Sequence, residues 1–193
     1  MQSLFPQDLQ YPPGFSYYPE FLSCDEEKDL MQEIAKIELH TFHFQGYEAK
    51  RRVASFGYDY SFDKRTLAKG REIPPAFHAV IEKTARRTAI PAEAFQELLI
   101  TEYPVGAVIN WHRDAPPFGA IAGISLQGDC TFKLRPHDKL KQSRRSIISL
   151  PVSRRSLYVI QGVARKEWQH STAPVKSVRY SITLRTLNTG TAI

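Results

Sequence analysis

Hydrophobic and polar positions divide the chain into two textures. From Leu98 onward, short apolar or alternating runs follow one another: LLITEY (98–103), AVINWHRD (107–114), AIAGISL (120–126), CTFKLR (130–135), SIISLPV (146–152), SLYVIQG (156–162) and VRYSITLRTL (178–187). Gly, Pro and charged turns separate them. A period of two belongs to strands, and several short strands at this spacing predict a sandwich or barrel. Upstream the period lengthens. Ser23 opens S-C-D-E, where Ser23 and Glu26 form a capping box, and Leu30, Ile34 and Ile37 follow at helical spacing, so residues 24–38 are expected to be a helix. Pro74 and Pro75 open a second helix through about Arg87, with Phe77, Val80, Ile81 and Thr84 as its apolar stripe. His40–Gln45 and Val53–Tyr60 read as strands of a hairpin-like region. Residues 1–22, with Pro6, Pro12, Pro13 and Pro19, read as an irregular arm, and His137–Arg145 as a charged loop. Two helices ahead of a run of strands predict an α+β fold, taken as one domain over 1–193.

Composition changes this picture in two ways. The formal net charge is +6, which favours anionic partners, nucleic acid foremost. The two cysteines, Cys24 and Cys130, form no C-x-x-C, which argues against a disulfide framework or a cysteine zinc site. No basic stretch followed by a long apolar run marks a secretory signal, and no run approaches a membrane span. The expectation is a reduced, cytoplasmic, monomeric protein with no membrane partner.

The chemistry concentrates in W-H-R-D at 111–114 and H-S at 170–171. On a strand, His112 and Asp114 would point the same way, and His170 would complete a three-point face. H-x-D alone recurs by chance in many chains. Two imidazoles and one carboxylate are, however, the facial set of non-haem iron(II) oxygenases, because they hold the metal and leave positions open. A closed structural zinc site leaves none.

The run at 178–185 adds a second constellation. One face carries Arg179, Ser181, Thr183 and Arg185, and the other Val178, Tyr180, Ile182 and Leu184. Two guanidiniums separated by hydroxyls suit a dianion such as 2-oxoglutarate. A solvent-exposed polar face is the competing reading. Thr101 and Tyr103 share a strand face leading toward His112 and add a hydroxyl and a phenol to the same pocket.

T-E-Y-P-V-G-A (101–107), W-H-R-D (111–114), G-I-S-L (123–126), H-S (170–171) and R-Y-S-I-T-L-R (179–185) together resemble the AlkB-like group of iron(II)/2-oxoglutarate dioxygenases, over about residues 98–187. P-E-F-L-S (19–23) resembles the usual start of that group, and F-G-Y-D-Y (56–60) its substrate lid. The resemblance implies a double-stranded β-helix, or jelly-roll, core with N-terminal supporting helices. It implies Fe(II) on His112, Asp114 and His170, with 2-oxoglutarate and dioxygen as co-substrates. Arg179 would take the distal carboxylate and Arg185 would lie near the chelating end, with Thr101, Tyr103, Ser125, Leu134 and Ser181 lining the pocket.

The implied reaction is oxidative demethylation of N-alkylated bases in DNA or RNA, as in repair of alkylation damage. A flipped base would be held by aromatic and basic side chains, for which Arg51, Arg52, Phe56 and Tyr58 are the candidates. The sequence departs from well-known repair members at Pro116, where an acidic residue that contacts the base is usual. An oxygenase acting on a protein side chain or a small metabolite is therefore the alternative, and a non-enzymatic nucleic-acid-binding module a third reading.

Overall fold

The computed structural model describes residues 11–44, 47–61 and 64–188. The first ten residues of the expected arm, and Gln45 of the expected strand His40–Gln45, lie outside them. The elements run β1 (Phe15–Tyr18), α1 (Cys24–Ala35), β2 (His40–Phe44), β3 (Tyr47–Ser61), β4 (Thr66–Lys69), α2 (His78–Thr88), β5 (Phe95–Tyr103), β6 (Phe118–Leu126), β7 (Cys130–Pro136), β8 (Ile148–Val152), β9 (Leu157–Ile160), α3 (Gly162–Glu167), β10 (Trp168–Thr172) and β11 (Arg179–Leu187).

The strands form two antiparallel sheets. The large one has the order β1-β9-β6-β11-β5-β3-β2, with β4 paired to β3, and the small one the order β10-β7-β8. This is the expected α+β jelly-roll. One apolar cluster lies between the large sheet and the helices and includes Leu30, Ile34, Phe77, Val80, Ile182 and Leu184. A second lies between the two sheets and includes Phe118, Phe132, Leu134, Val152 and Tyr158.

The helices form for the reasons legible in their sequences. Ser23 Oγ accepts the Glu26 N–H, and Glu26 returns the bond to the Ser23 N–H at 2.7 Å. Such a cap contributes about 1 kcal/mol. The helix stops at Ala35, three residues short of the expected end, where Lys36 turns back onto Glu33 and Ile34. Glu27 is buried and accepts the Gln127 N–H at 2.7 Å while pairing with Arg154, which fastens α1 to the ends of the sheet. A 3-10 turn at Pro75–Phe77 leads into α2, whose buried stripe is Val80, Ile81 and Thr84.

Three expectations are corrected. The arm is not irregular throughout, because Phe15–Tyr18 add to the large sheet beside β9. Prolines 12, 13 and 19 bracket this run without entering it, and an edge strand tolerates them there. The segment 107–114 is not a strand. Pro104 and Gly106 (φ 79°) turn the chain just before it, and only His112 makes a bridge, with His170. The expected loop His137–Arg145 contains two short 3-10 turns, at Lys139–Lys141 and beginning at Arg144.

β3 also changes face midway. Phe56 packs into the helix-side cluster and Tyr60 against the inter-sheet cluster, although strict alternation would keep them together. Gly57 lies between them at φ 81°, and a Cβ there would run into the Gln96 carbonyl. Glycine thus permits both the re-aiming and the close approach of β3 to β5.

Candidate metal centre

The bridge between His112 and His170 brings the first two ligand candidates together. Each backbone N–H donates to the other's carbonyl, at 3.0 and 2.9 Å, and the ring centroids lie 4.2 Å apart. His112 Nδ1 is 2.8 Å from the Asn110 carbonyl oxygen. A proton on Nδ1 donates to that carbonyl and leaves Nε2 free for a metal. Asp114 joins from the loop that follows, with Oδ2 3.6 Å from His170 Nε2. One ligand atom from each of the three residues lies within 4.8 Å of the others. Strand alternation, the route expected from sequence, is not what assembles this set; a two-residue bridge and a loop are.

Two observations test whether the set fits a cation. Asp114 Oδ1 accepts from Arg185 Nη2 at 2.7 Å and Nε at 3.1 Å, whereas the buried Oδ2 has no hydrogen-bond donor. A buried carboxylate oxygen left in that state is costly unless something positive meets it. The donors, two imidazole nitrogens and one carboxylate oxygen, are those suited to iron(II). Electrostatics agree. Burial, then the neighbouring His112, push His170 down to about 3, so its ring is neutral and able to ligate. Burial works to raise the Asp114 carboxyl, but Arg185, His170 and His112 together hold it well below the usual range, so it stays ionised.

The loop carrying Asp114 is held from behind by Arg165 of α3. Its guanidinium donates to the carbonyls of Asp114 (3.1 Å), Ala115 (2.8 Å), Phe118 (2.9 Å) and Gly119 (3.1 Å). Asn188 Nδ2 donates to the Pro116 carbonyl at 2.6 Å. Nothing in residues 165–171, R-K-E-W-Q-H-S, announced this role, since α3 itself was not legible as a helix.

The expected co-substrate residues gather on the inner face of the large sheet. β5 and β11 pair in register from Arg179↔Tyr103 and Ser181↔Thr101 to Arg185↔Glu97, and Ser181 lies opposite Ser125 of β6. Arg179 is buried, lies over the Tyr103 ring at 4.8 Å, and donates from Nε to Ser125 Oγ at 2.9 Å. Tyr103 Oη is 3.4 Å from Ser181 Oγ. Leu134 lies opposite His170 in the small sheet. The polar face of β11 is therefore interior, and the solvent-exposed reading of it falls. Tyr158, overlooked in the sequence, also enters this face. A Cβ on Gly123 would collide with its ring, so glycine makes the room.

The two arginines do not act as a matched pair. Six residues of strand separate them by about 20 Å. Arg185 is committed to protein carboxylates, with Nη1 2.6 Å from Glu97 Oε2 and Nη2 and Nε on Asp114. Arg179, by contrast, has no carboxylate partner among the described residues. Glu97 was missed, although its sequence position carried a signal: an acid on the same strand face as Leu99, Thr101 and Tyr103.

The four expected substrate residues separate. Phe56 is buried among the helix-side core with Arg71 over its ring, so it packs the fold instead of meeting a base. Arg52 shares that face and pairs with Glu102. Arg51 is on the opposite face, half-buried over the Phe42 ring at 4.0 Å and close enough to Tyr103 to feel it electrostatically. Tyr58 is half-buried opposite Lys69 of β4.

Comparisons with known proteins bear on this geometry. Residues 14–185 match the family model described as the 2OG-Fe(II) oxygenase superfamily. The mouse (Mus musculus) tRNA (carboxymethyluridine(34)-5-O)-methyltransferase ALKBH8 is 28% identical over 170 residues, covering 86% of this chain and 25% of that protein. An alkylated DNA repair protein ALKBH8 homolog of Arabidopsis thaliana is 27% identical over 189 residues, covering 87% of this chain and 53% of that one. The chain thus spans about a quarter to a half of the length of these relatives. Among solved structures, OsALKBH1 superposes with a TM-score of 0.72 at 16% identity, covering 92% of this chain and 99% of that one. A prolyl-4-hydroxylase of Pseudomonas putida gives 0.59 at 16% identity, covering 92% and 94%. The chain belongs to the 2OG-Fe(II) oxygenase superfamily, among its AlkB-like members, and is a dioxygenase of a family that works with Fe(II), 2-oxoglutarate and dioxygen.

Proposed function

We propose that the chain oxidatively removes N-alkyl groups from bases of DNA or RNA, with His112, Asp114 and His170 holding Fe(II) and Arg179 holding the distal carboxylate of 2-oxoglutarate. Bound iron would supply the oxidation of a C–H bond on the alkyl carbon, at the expense of dioxygen and the 2-oxo acid. The protein's part is placement. Tyr103, Ser125 and Ser181 line the carboxylate end, Thr101 lies in register with Ser181, and Leu134 walls off the metal side.

The observation that carries nucleic acid as substrate is where the charge lies. Segment 133–145 holds Lys133, Arg135, Lys139, Lys141, Arg144 and Arg145 against the single acid Asp138, which accounts for five of the chain's six net positive charges. It starts on β7, one residue before the partner of His170, and continues into an exposed loop. Arg135 lies over the half-buried Trp111 ring at 4.4 Å, next to His112. A cationic margin beside the reactive centre suits a phosphate backbone. The names of the relatives, one a tRNA enzyme and one a DNA repair homolog, point the same way.

A second reading, oxidation of a protein side chain or small metabolite, is favoured by Pro116. The loop there is held rigid by Arg165 and Asn188 and offers a base no acidic partner at that position. Incubation of the iron-loaded protein with N-methylated DNA and RNA oligonucleotides separates the two. Formaldehyde release matched by loss of the methyl group is expected. Turnover of 2-oxoglutarate with neither product on any oligonucleotide would favour the second reading.

A further inference from the structure

Asp114 is one end of a buried chain of charge that continues through Arg185 to Glu97. Glu97 is 2% exposed, lies on β5 next to the central strand β11, and faces Arg185 in register. Its Oε2 accepts from Arg185 Nη1 at 2.6 Å, and the remaining donors of that guanidinium, Nη2 and Nε, both go to Asp114 Oδ1. Arg185 sits at an irregularity of β11, where the pairing with both β5 and β6 slips immediately after it. A bulge of this kind re-aims a side chain. The backbone therefore fixes where Arg185 points, and Glu97 fixes the far edge of its fork.

We propose that Glu97 is a positioning residue for the metal. It acts through Arg185, in geometry and in charge. In geometry, it pins the guanidinium so that Asp114 is rotated with Oδ1 engaged and Oδ2 turned to the two histidines. In charge, burial raises the Glu97 carboxyl and Arg185 opposes that rise; in its ionised form Glu97 balances Arg185, so that the group of two carboxylates and one guanidinium keeps one net negative charge for a cation. Without Glu97, Arg185 and Asp114 form a neutral pair, and the guanidinium competes with the metal for the same carboxylate. Outer partners of metal ligands are typically worth 10–100-fold in metal affinity. The inference rests on His112, Asp114 and His170 being the metal ligands.

The test is titration of the metal-free full chain with Co(II), read by its visible absorption and dissociation constant, for wild type and for Glu97→Gln, Glu97→Asp and Glu97→Ala, with thermal melting alongside. The expected order of affinity is wild type, then Glu97→Asp, then Glu97→Gln at about 10-fold weaker, then Glu97→Ala at up to about 100-fold weaker, with altered cobalt absorption in the last two. A packing role alone would reverse the middle pair, because Gln fills the space of Glu and Asp does not. Gln binding as tightly as wild type, with the same spectrum, overturns the proposal. If Glu97→Ala fails to fold, the comparison of Gln with Asp decides. Failure of the wild type to bind Co(II) at all would instead remove the ligand assignment beneath it.

Discussion

The two faces of β11 are equally buried and chemically opposite. Toward the helices stand Ile182 and Leu184, both at 0% exposure; toward the small sheet stand Arg179, Ser181 and Thr183, at 2%, 1% and 8%. The first face is favourable simply by leaving water. The second is unfavourable on burial unless every charge and hydroxyl finds a partner. Arg179 Nε, Ser181 and Arg185 find theirs in Ser125, Tyr103, Glu97 and Asp114. One strand thus carries the stability of the fold on one side and its reactive machinery on the other. Burial by itself does not distinguish core from site; the partners do.

Substitutions on the two faces should separate accordingly. The largest effect is expected from Asp114→Ala, which removes a candidate metal ligand and should abolish succinate formation. Its far-UV circular dichroism should remain that of the wild type; residual turnover near the wild-type rate would refute the assignment. Arg179→Ala should raise the concentration of 2-oxoglutarate needed for half-maximal turnover by about 100-fold, from loss of a buried charge partner worth ~3 kcal/mol. Metal affinity should be nearly unchanged, and isothermal titration with each ligand separates the two. On the other face, Ile182→Ala should cost about 2–5 kcal/mol in urea unfolding and leave the 2-oxoglutarate requirement of the folded protein as it was. Phe56→Ala should behave like Ile182→Ala, with lost stability and no selective loss of substrate binding.

A further expected effect is in pH. His170 is pulled from an ordinary value near 6.5 to about 3, so the unfolded chain binds a proton there that the folded chain refuses. Stability of the metal-free protein from this group is complete above about 6.5 and declines as pH falls toward 3. Depression of the Asp114 carboxyl acts in the same direction, below its usual value of 3.8. Urea midpoints between pH 7 and 4 should drop less in His170→Gln than in wild type. An equal drop would show that other groups carry the dependence.

Much of this was legible in the sequence. The Ser23–Glu26 box marked the start of α1, and the apolar stripe marked α2. Alternation in R-Y-S-I-T-L-R placed both arginines on one face, where the structure has them. The residues of the candidate centre are legible without geometry, because two histidines and an aspartate are donors suited to iron(II). What assembles them was not legible. Residues 107–114 looked like a strand because Val108, Ile109 and Trp111 are strand formers, yet Pro104 and Gly106 break the ladder and leave one bridge. Phe56 looked like a base-stacking aromatic because it sits near Tyr58 and arginines, but it alternates with Ala54 into the core, and the face change at Gly57 parts it from Tyr60.

Sequence alone determined the period of each segment, the caps of its helix, the donor set for a metal and the excess of positive charge, since these depend on residue identity and on spacing of a few positions. Tertiary structure decided which charges meet. That Arg185 joins Asp114 to Glu97, while Arg179 stays with Ser125 and Tyr103, follows from the register of three neighbouring strands and a slip after Arg185. Alternation fixes which face each strand buries, but which residues stand opposite one another depends on strands β5, β6 and β11 meeting from distant parts of the chain.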